Sequence, residues 1–360
     1  MKIIILLEQF VRSGANKPLL DDVLFLRQQN VDARIVTFFP EIPGDTFYDD
    51  SSFSKESFSC LRFGHWWDPR EWKKLKLFLS QEKPDLVIAG DGTAKTIGLL
   101  TARFSHVPKI FAFAHDEENI RLSESFFDRF FYLLPDKIIV AFQSAKEKLL
   151  ARGAMQKKIV ILTDGFIPEA YGKRYARDIR KDLGIGESEF IFICVGELTI
   201  DKGTDVLLRA FAKIPDGRLL IVGDGAEKNS LESLSNNLGL QERVIFLPQR
   251  EDIPSLLMEA GAMIVPSKKE EFASSLVMGL LSGLPIITSD FPGAEEMIRN
   301  GENGIIVRKQ DSDVLAEAMK TIAVDAELRA SLQKNTGKGM EKFSIANHCA
   351  KLLSLMEEKK

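Results

Sequence analysis

The sequence predicts a two-domain α/β protein built on parallel sheets. Three observations predict it. Short apolar, β-branched runs alternate with helix-length segments almost throughout the chain. Those runs are apolar at consecutive positions, as in strands buried on both faces. The chain has 360 residues, too many for one ordinary core.

The first strand is expected over Lys2–Leu7. Its apolar run resembles a secretion signal, but it is short and ends at Glu8, so a buried strand is the better reading. A turn with Ser13-Gly14 follows. Pro18–Gln29 has helical spacing, and Ala33–Phe39 is the second strand. His65-Trp66-Trp67-Asp68-Pro69-Arg70 leads into a basic amphipathic helix that includes Glu71–Leu79. Asp85–Ala89, Lys109–Ala114 and Lys137–Ala141 are further strands, each after a polar or proline-containing break.

The pattern restarts after a polar stretch, Glu169–Lys181, which sets a domain boundary near 166–180. Strands are expected at Phe190–Val195, Leu219–Val222, Val244–Phe246, Met263–Val265 and Pro285–Thr288. Helices are expected at Gly203–Ile214, Glu227–Leu238, Ser275–Leu281, Asp311–Val324 and Ile345–Glu358.

Hydrophobic content of 45% and charged content of 28% indicate a soluble globular protein. A formal net charge of −4 argues against a general nucleic-acid binder. Cys60, Cys194 and Cys349 are far apart and odd in number, so neither a disulfide framework nor a metal-ligand spacing is expected. A cytoplasmic protein is expected, and no stretch approaches the ~20 apolar residues of a membrane span.

Open parallel sheets bind ligands beyond the carboxyl ends of their strands. Two such domains facing each other would form a cleft. Lys202 at a helix start after Val195-Gly196-Glu197-Leu198 suits a phosphate as a point charge; an exposed turn lysine is the alternative. Gly223 and Gly225 in Val222-Gly223-Asp224-Gly225 admit close ligand approach or make a plain strand-to-helix turn. His115 at a strand end is either a polarising group or a packed histidine. Gly14 is a lone turn glycine. The segment Pro266–Asp290 carries Glu270 and Glu271, then a small polar turn that opens a helix, where free N–H groups favour an anion.

Together these pieces resemble glycosyltransferase family 4, retaining GT-B enzymes that use nucleotide-sugar donors. The likeness is carried mainly by Phe190–Val307: VGELTIDKGTDVLLRAFAKI, LLIVGDGAEKNSLESLSNNLGLQERVIFL, and EEFASSLVMGLLSGLPIITSDFPGAEEMIRNGENGIIV. PDLVIAGDG, FAFAHD and VILTDGF match more loosely in the first half. The resemblance implies two Rossmann-like domains facing across a cleft: an acceptor-side domain over 1–168 and a donor domain over 169–342. A C-terminal helix in 343–360 would cross back to the first domain.

Carried over by position, Lys202 binds the donor diphosphate, and Glu270 contacts the transferred sugar as the first Glu of a Glu-x7-Glu motif. Ala273 and Ser274 match the positions whose N–H groups hold phosphate at the helix start, and Phe272 and Ser275 beside them belong to the donor site. His115 lies near the sugar. Gly14 lies beneath the diphosphate, and Gly196, Gly223 and Gly225 line the donor loops. No cofactor or metal is implied beyond the UDP- or GDP-sugar substrate.

Three positions depart from the family. Glu197 replaces an arginine, Met278 replaces the second Glu that holds the ribose, and Glu271 replaces a glycine. A charge-assisted hydrogen bond contributes roughly 1.5–3 kcal/mol. Losing two weakens donor binding by about 3–6 kcal/mol, on the order of 10²–10⁴ in affinity.

The leading expectation is a retaining hexosyl-type glycosyltransferase with an unidentified acceptor (glycan, lipid or small molecule). A non-catalytic GT-B protein that binds a glycan or partner enzyme is the alternative from another class, and a sugar-phosphate or nucleotide isomerase is a third. The basic, tryptophan-bearing stretch Trp66–Leu79 suits peripheral contact with an anionic inner membrane face, packs as an ordinary helix, or places tryptophan around a sugar-binding cleft.

Overall fold

The computed structural model describes residues 1–10, 16–40, 57–90, 92–114, 132–167, 178–250, 252–269 and 274–358. The chain forms two units: Met1–Phe166 with Lys342–Lys360, and Ile167–Glu341. Each is built on one parallel sheet with helices, as the alternating apolar runs predict.

In the first unit, strands β1 (Lys2–Leu7), β2 (Asp32–Thr37), β3 (Phe58–Cys60), β4 (Leu86–Ala89), β5 (Lys109–Phe113), β6 (Lys137–Val140) and β7 (Ile159–Ile161) form one sheet. Its order is β3-β2-β1-β4-β5-β6-β7. The β1 run KIIILL shows why the sequence is apolar at consecutive positions. Ile3, Ile5 and Leu7 enter one core, with Leu19, Leu20, Val23 and Leu26 of helix α1 (Asn16–Gln28). Ile4 and Leu6 enter another, with helices α2 (Pro69–Glu82) and α3 (Gly92–Phe104). Each fully buried Ile or Leu contributes roughly 1.5–3 kcal/mol.

Local chemistry sets the helix ends. Asp68 accepts the Arg70 N–H at 2.9 Å and Pro69 occupies the first turn, so α2 begins there. Lys83 ends it in the left-handed conformation at φ 48°. Helix α4 (Gln143–Ala151) follows β6.

The second unit contains helix α5 (Ile179–Asp182) and strands β8 (Ile191–Val195), β9 (Arg218–Val222), β10 (Val244–Leu247), β11 (Ala262–Val265), β12 (Ile286–Ser289) and β13 (Ile305–Val307). The order is β10-β9-β8-β11-β12-β13. Helices α6 (Thr204–Phe211), α7 (Lys228–Asn237), α8 (Ile253–Glu259), α9 (Ser274–Leu281) and α10 (Pro292–Met297) connect these strands. Helices α11 (Ser312–Val324) and α12 (Ala326–Thr336) follow β13. Phe192, Leu207, Phe211, Ile264, Ile287 and Met319 pack in one core of this unit.

The terminal helix α13 (Ile345–Glu357) belongs to the first unit, as the resemblance implies. Its entry is pinned by two main-chain bonds, Phe166 N–H to the Phe343 carbonyl at 2.7 Å and Ile345 N–H to the Phe166 carbonyl at 2.8 Å. Ile345, Cys349, Leu352 and Leu355 then enter the core shared by β1 and α1.

His348 on α13 is also buried there. Its Nδ1 lies 2.7 Å from the Thr163 carbonyl, and its Nε2 lies 3.1 Å from Asp22 Oδ2 on α1. The Nε2 contact is off the line of a well-directed hydrogen bond, so the attraction is chiefly Coulombic. Both ring nitrogens face acceptors, which favours the doubly protonated ring. Burial opposes that charge, but Asp22, Thr163 and Asp164 outweigh it and raise the His348 pKa to about 9. Burial and the same Asp22 carboxylate push the Cys349 thiol upward, keeping it protonated.

A raised folded-state pKa stabilises the fold fully below the unfolded value near 6.5, and that stabilisation is lost as pH rises through about 9. Thermal unfolding of the wild-type chain should therefore fall over that window, by an amount on the order of a few kcal/mol. His348→Gln should flatten the decline. An equal slope in wild type and variant would refute this account.

Candidate functional site

In the second sheet β8 lies between β9 and β11. The chain leaves β8 toward β9 and β10, then returns to β11 on the other side. This is a topological switch point, where loops beyond the carboxyl ends of neighbouring strands diverge and leave a crevice.

The loop after β8 interlocks with the loop after β9 through main-chain bonds. Gly196 N–H donates to the Val222 carbonyl at 3.0 Å, and Leu198 N–H donates to the Asp224 carbonyl at 2.8 Å. Glu227 N–H returns to the Leu198 carbonyl at 2.9 Å. Gly223 has φ 149°, and a Cβ there would lie 1.9 Å from the Gly196 carbonyl oxygen. A Cβ on Gly225 would lie 2.4 Å from the Leu198 carbonyl oxygen. The predicted glycines Gly196, Gly223 and Gly225 thus meet in one place. Their immediate role is packing backbone on backbone.

Lys202 lies on a short 3-10 turn, Ile200–Lys202, and is half-buried. Gly203 follows at φ 68°, and a Cβ there would meet the Pro266 carbonyl oxygen at 2.1 Å. Only glycine allows this approach. The loop after β11 reaches the same turn: Lys268 and Lys269 N–H groups donate to the Asp201 carbonyl at 2.7 and 3.3 Å. Lys268 Nζ pairs with Asp205 Oδ1 on α6 at 2.7 Å. On the opposite edge, Ser289 Oγ donates to the Ser267 carbonyl. Asp201, Asp205, Lys268 and Ser289 were not among the predicted site residues, and only the glycine after Lys202 hinted at the contact.

Glu197 is exposed in the β8 loop, and Ser274, Ser275 and Met278 lie half-buried on α9. Glu270, Glu271, Phe272 and Ala273, together with Gly14 and His115, lie outside the described residues. Beyond β10, Arg250 is committed to Asp252 by a two-pronged contact of 2.6 and 2.5 Å.

The first sheet has its own switch point, between β1 and β4. There Glu8 Oε2 accepts the Thr93 N–H at 2.8 Å, at the N-terminus of α3. The protein's own carboxylate takes that donor. After β3, Trp66 and Trp67 are 43% and 62% exposed, and Trp67 stacks on His65 at 4.6 Å. Trp72 Nε1 donates to the Trp66 carbonyl at 2.6 Å. Leu75 and Leu79 of α2 are buried, while Arg70, Lys73, Lys74, Lys76 and Leu77 are exposed.

Residues 176–339 match the family described as glycosyl transferases group 1. Among curated proteins, N-acetyl-alpha-D-glucosaminyl L-malate synthase of Bacillus anthracis is 33% identical over 171 residues, 46% of this chain and 45% of that protein. An Escherichia coli UDP-Gal:alpha-D-GlcNAc-diphosphoundecaprenol alpha-1,3-galactosyltransferase is 24% identical over 306 residues, 80% of this chain and 79% of that protein. The first curated relatives are matched over about half their length. Anabaena HepE, solved in complex with UDP and glucose, shares the fold with a TM-score of 0.84 at 20% identity, covering 99% of both chains.

The glycine contacts set a stability test. Gly203→Ala and Gly223→Ala each force a Cβ into a carbonyl oxygen at a positive φ, so each should destabilise the second unit by roughly 1–3 kcal/mol or more. Urea unfolding measures the loss. A wild-type midpoint in both variants would contradict the close approach.

Proposed function

We propose, from the premise that residues 176–339 belong to glycosyl transferases group 1, that this protein moves a sugar from a nucleotide-diphosphate sugar to an acceptor with retention of anomeric configuration. One observation carries the reading. The family match spans the switch point of the second sheet, and Lys202 lies on the turn that two flanking loops hold there. A UDP-sugar is the first donor to test, because HepE was solved with UDP.

In this mechanism the diphosphate is the leaving group, and the sugar passes through an oxocarbenium-like state. Catalysis is positioning and electrostatic support of the departing charge. Lys202 supplies a point charge, and N–H groups at the start of α9 near Ala273 and Ser274 supply directed donors. Glu270 and His115 position the sugar. By the family resemblance, Gly14, Phe272 and Ser275 are assigned to the diphosphate and Met278 to the ribose. The acceptor is a glycan, lipid or small molecule held by the first unit.

A second reading, a non-catalytic protein that binds a glycan or partner glycosyltransferase, is favoured by one observation. Glu197 is an exposed acid on the loop beside Lys202, and an acid there repels a diphosphate.

Isothermal titration with a panel of UDP- and GDP-sugars separates the two. Tight binding of one donor, weakened about 10–100-fold by Lys202→Ala, supports the transferase. Silence across the panel, with tight binding of a glycan, supports the second reading.

The Trp66–Leu79 stretch carries a further part of the proposal. Trp66, Trp67 and Leu77 expose apolar surface beside Arg70, Lys73, Lys74 and Lys76, a composition that suits peripheral binding to an anionic membrane. Vesicles containing anionic lipid should co-sediment the protein at low salt, and Lys73→Glu, Lys74→Glu and Lys76→Glu together should abolish it. No co-sedimentation of the wild type at low salt removes the idea.

A further inference from the structure

Lys268 touches both flanks of Lys202-Gly203-Thr204. Its N–H donates to the carbonyl of Asp201, just before that tripeptide, at 2.7 Å. Its Nζ lies 2.7 Å from the carboxylate of Asp205, just after it. The Lys268 side chain is only 19% exposed and that of Asp205 38%. Pro266, two residues before, packs its carbonyl against Gly203. The segment that carries Lys268 is itself anchored on its other edge, where Ser289 Oγ donates to the Ser267 carbonyl.

We propose that Lys268 is a positioning residue that staples the Lys202 turn to the loop after β11 and so fixes where the Lys202 ammonium meets the donor phosphates. The inference rests on the reading of Lys202 as a phosphate ligand. The physical logic is entropic. A flexible lysine must lose freedom to bind, and a turn already fixed on both sides leaves less to lose. The position of Asp205 supports the pairing. An acid in the first turn of α6 is favoured by the helix dipole, and it pairs with the Lys268 cation.

The test uses UDP binding by titration and hydrogen exchange of peptides spanning 199–207 in the full chain. Lys268→Met and Asp205→Asn should each weaken UDP binding about 3–10-fold, and the double variant should be no weaker than either single. Exchange across 199–207 should rise in each. Lys268→Arg should restore both readouts, and so should the swapped pair Lys268→Asp with Asp205→Lys. If Lys268 instead held phosphate directly, Asp205→Asn would release it and tighten UDP binding, which would overturn the staple. Unchanged binding in both single variants would also overturn it. If the wild type binds no nucleotide, the donor reading fails by itself. Exchange then decides the staple alone: raised exchange in Lys268→Met upholds it and unchanged exchange removes it.

Discussion

The carbonyl of Asp201 is the joint on which the candidate site depends. β8 and β11 are neighbours in the sheet, yet the chain leaves them in opposite directions, so their loops diverge. Loop backbone groups near a sheet end still need partners. Here the loops partner each other: Asp201 accepts from Lys268 and Lys269, and Leu198 joins the loop after β9 in both directions. The crevice is therefore framed by main chain. Its shape follows from glycines and carbonyls, and the side chains are left to set chemistry.

The first unit meets the same topological problem differently. Its switch point lies between β1 and β4, and the donor at the N-terminus of α3 is taken by Glu8. A ligand anion brought to that N–H would face a carboxylate already bonded to it. The second unit spans its switch point with neutral backbone, and Lys202 sits on the turn beside it. The two sheets are alike in strand order, and each loop that leaves the switch strand carries an acid, Glu8 after β1 and Glu197 after β8; in the second unit Lys202 follows on the turn.

Much of the fold was legible because its central strands are buried on both faces. Ile3–Leu7, Leu86–Ala89 and Ile191–Cys194 are continuous apolar runs for that reason. The short strands β3, β7 and β13 were less visible. Each has only three residues: β3 (FSC) is broken by a serine, and the apolar β7 (IVI) and β13 (IIV) are too short to be told from other short apolar runs. At the candidate site, the turn positions Gly196, Lys202, Gly223 and Gly225 were legible as turn chemistry that marks the chain locally, whatever they bind. Lys268 was not, because its partners are a carbonyl and a carboxylate on a different βα loop and helix. A main-chain acceptor leaves no trace in residue identity. His348 carries no local signal either, because its partner Asp22 lies at the other end of the chain.

That distant pair explains how a chain leaving the second unit returns to the first in one register. The apolar residues Ile345, Leu352 and Leu355 supply area, but apolar contact has no direction, and a helix could slide along it. His348 adds direction. Its two nitrogens address two acceptors on different elements, the Thr163 carbonyl beyond β7 and Asp22 on α1. A shift of α13 by four residues would leave Asp22 buried beside Ser344 or Leu352, neither of which can carry its counter-charge. Breaking a buried pair costs more than the pair gains over a well-packed apolar alternative. The ion pair therefore selects against wrong registers more than it deepens the right one, and the main-chain bonds between Phe166 and residues 343 and 345 then fix where the helix begins.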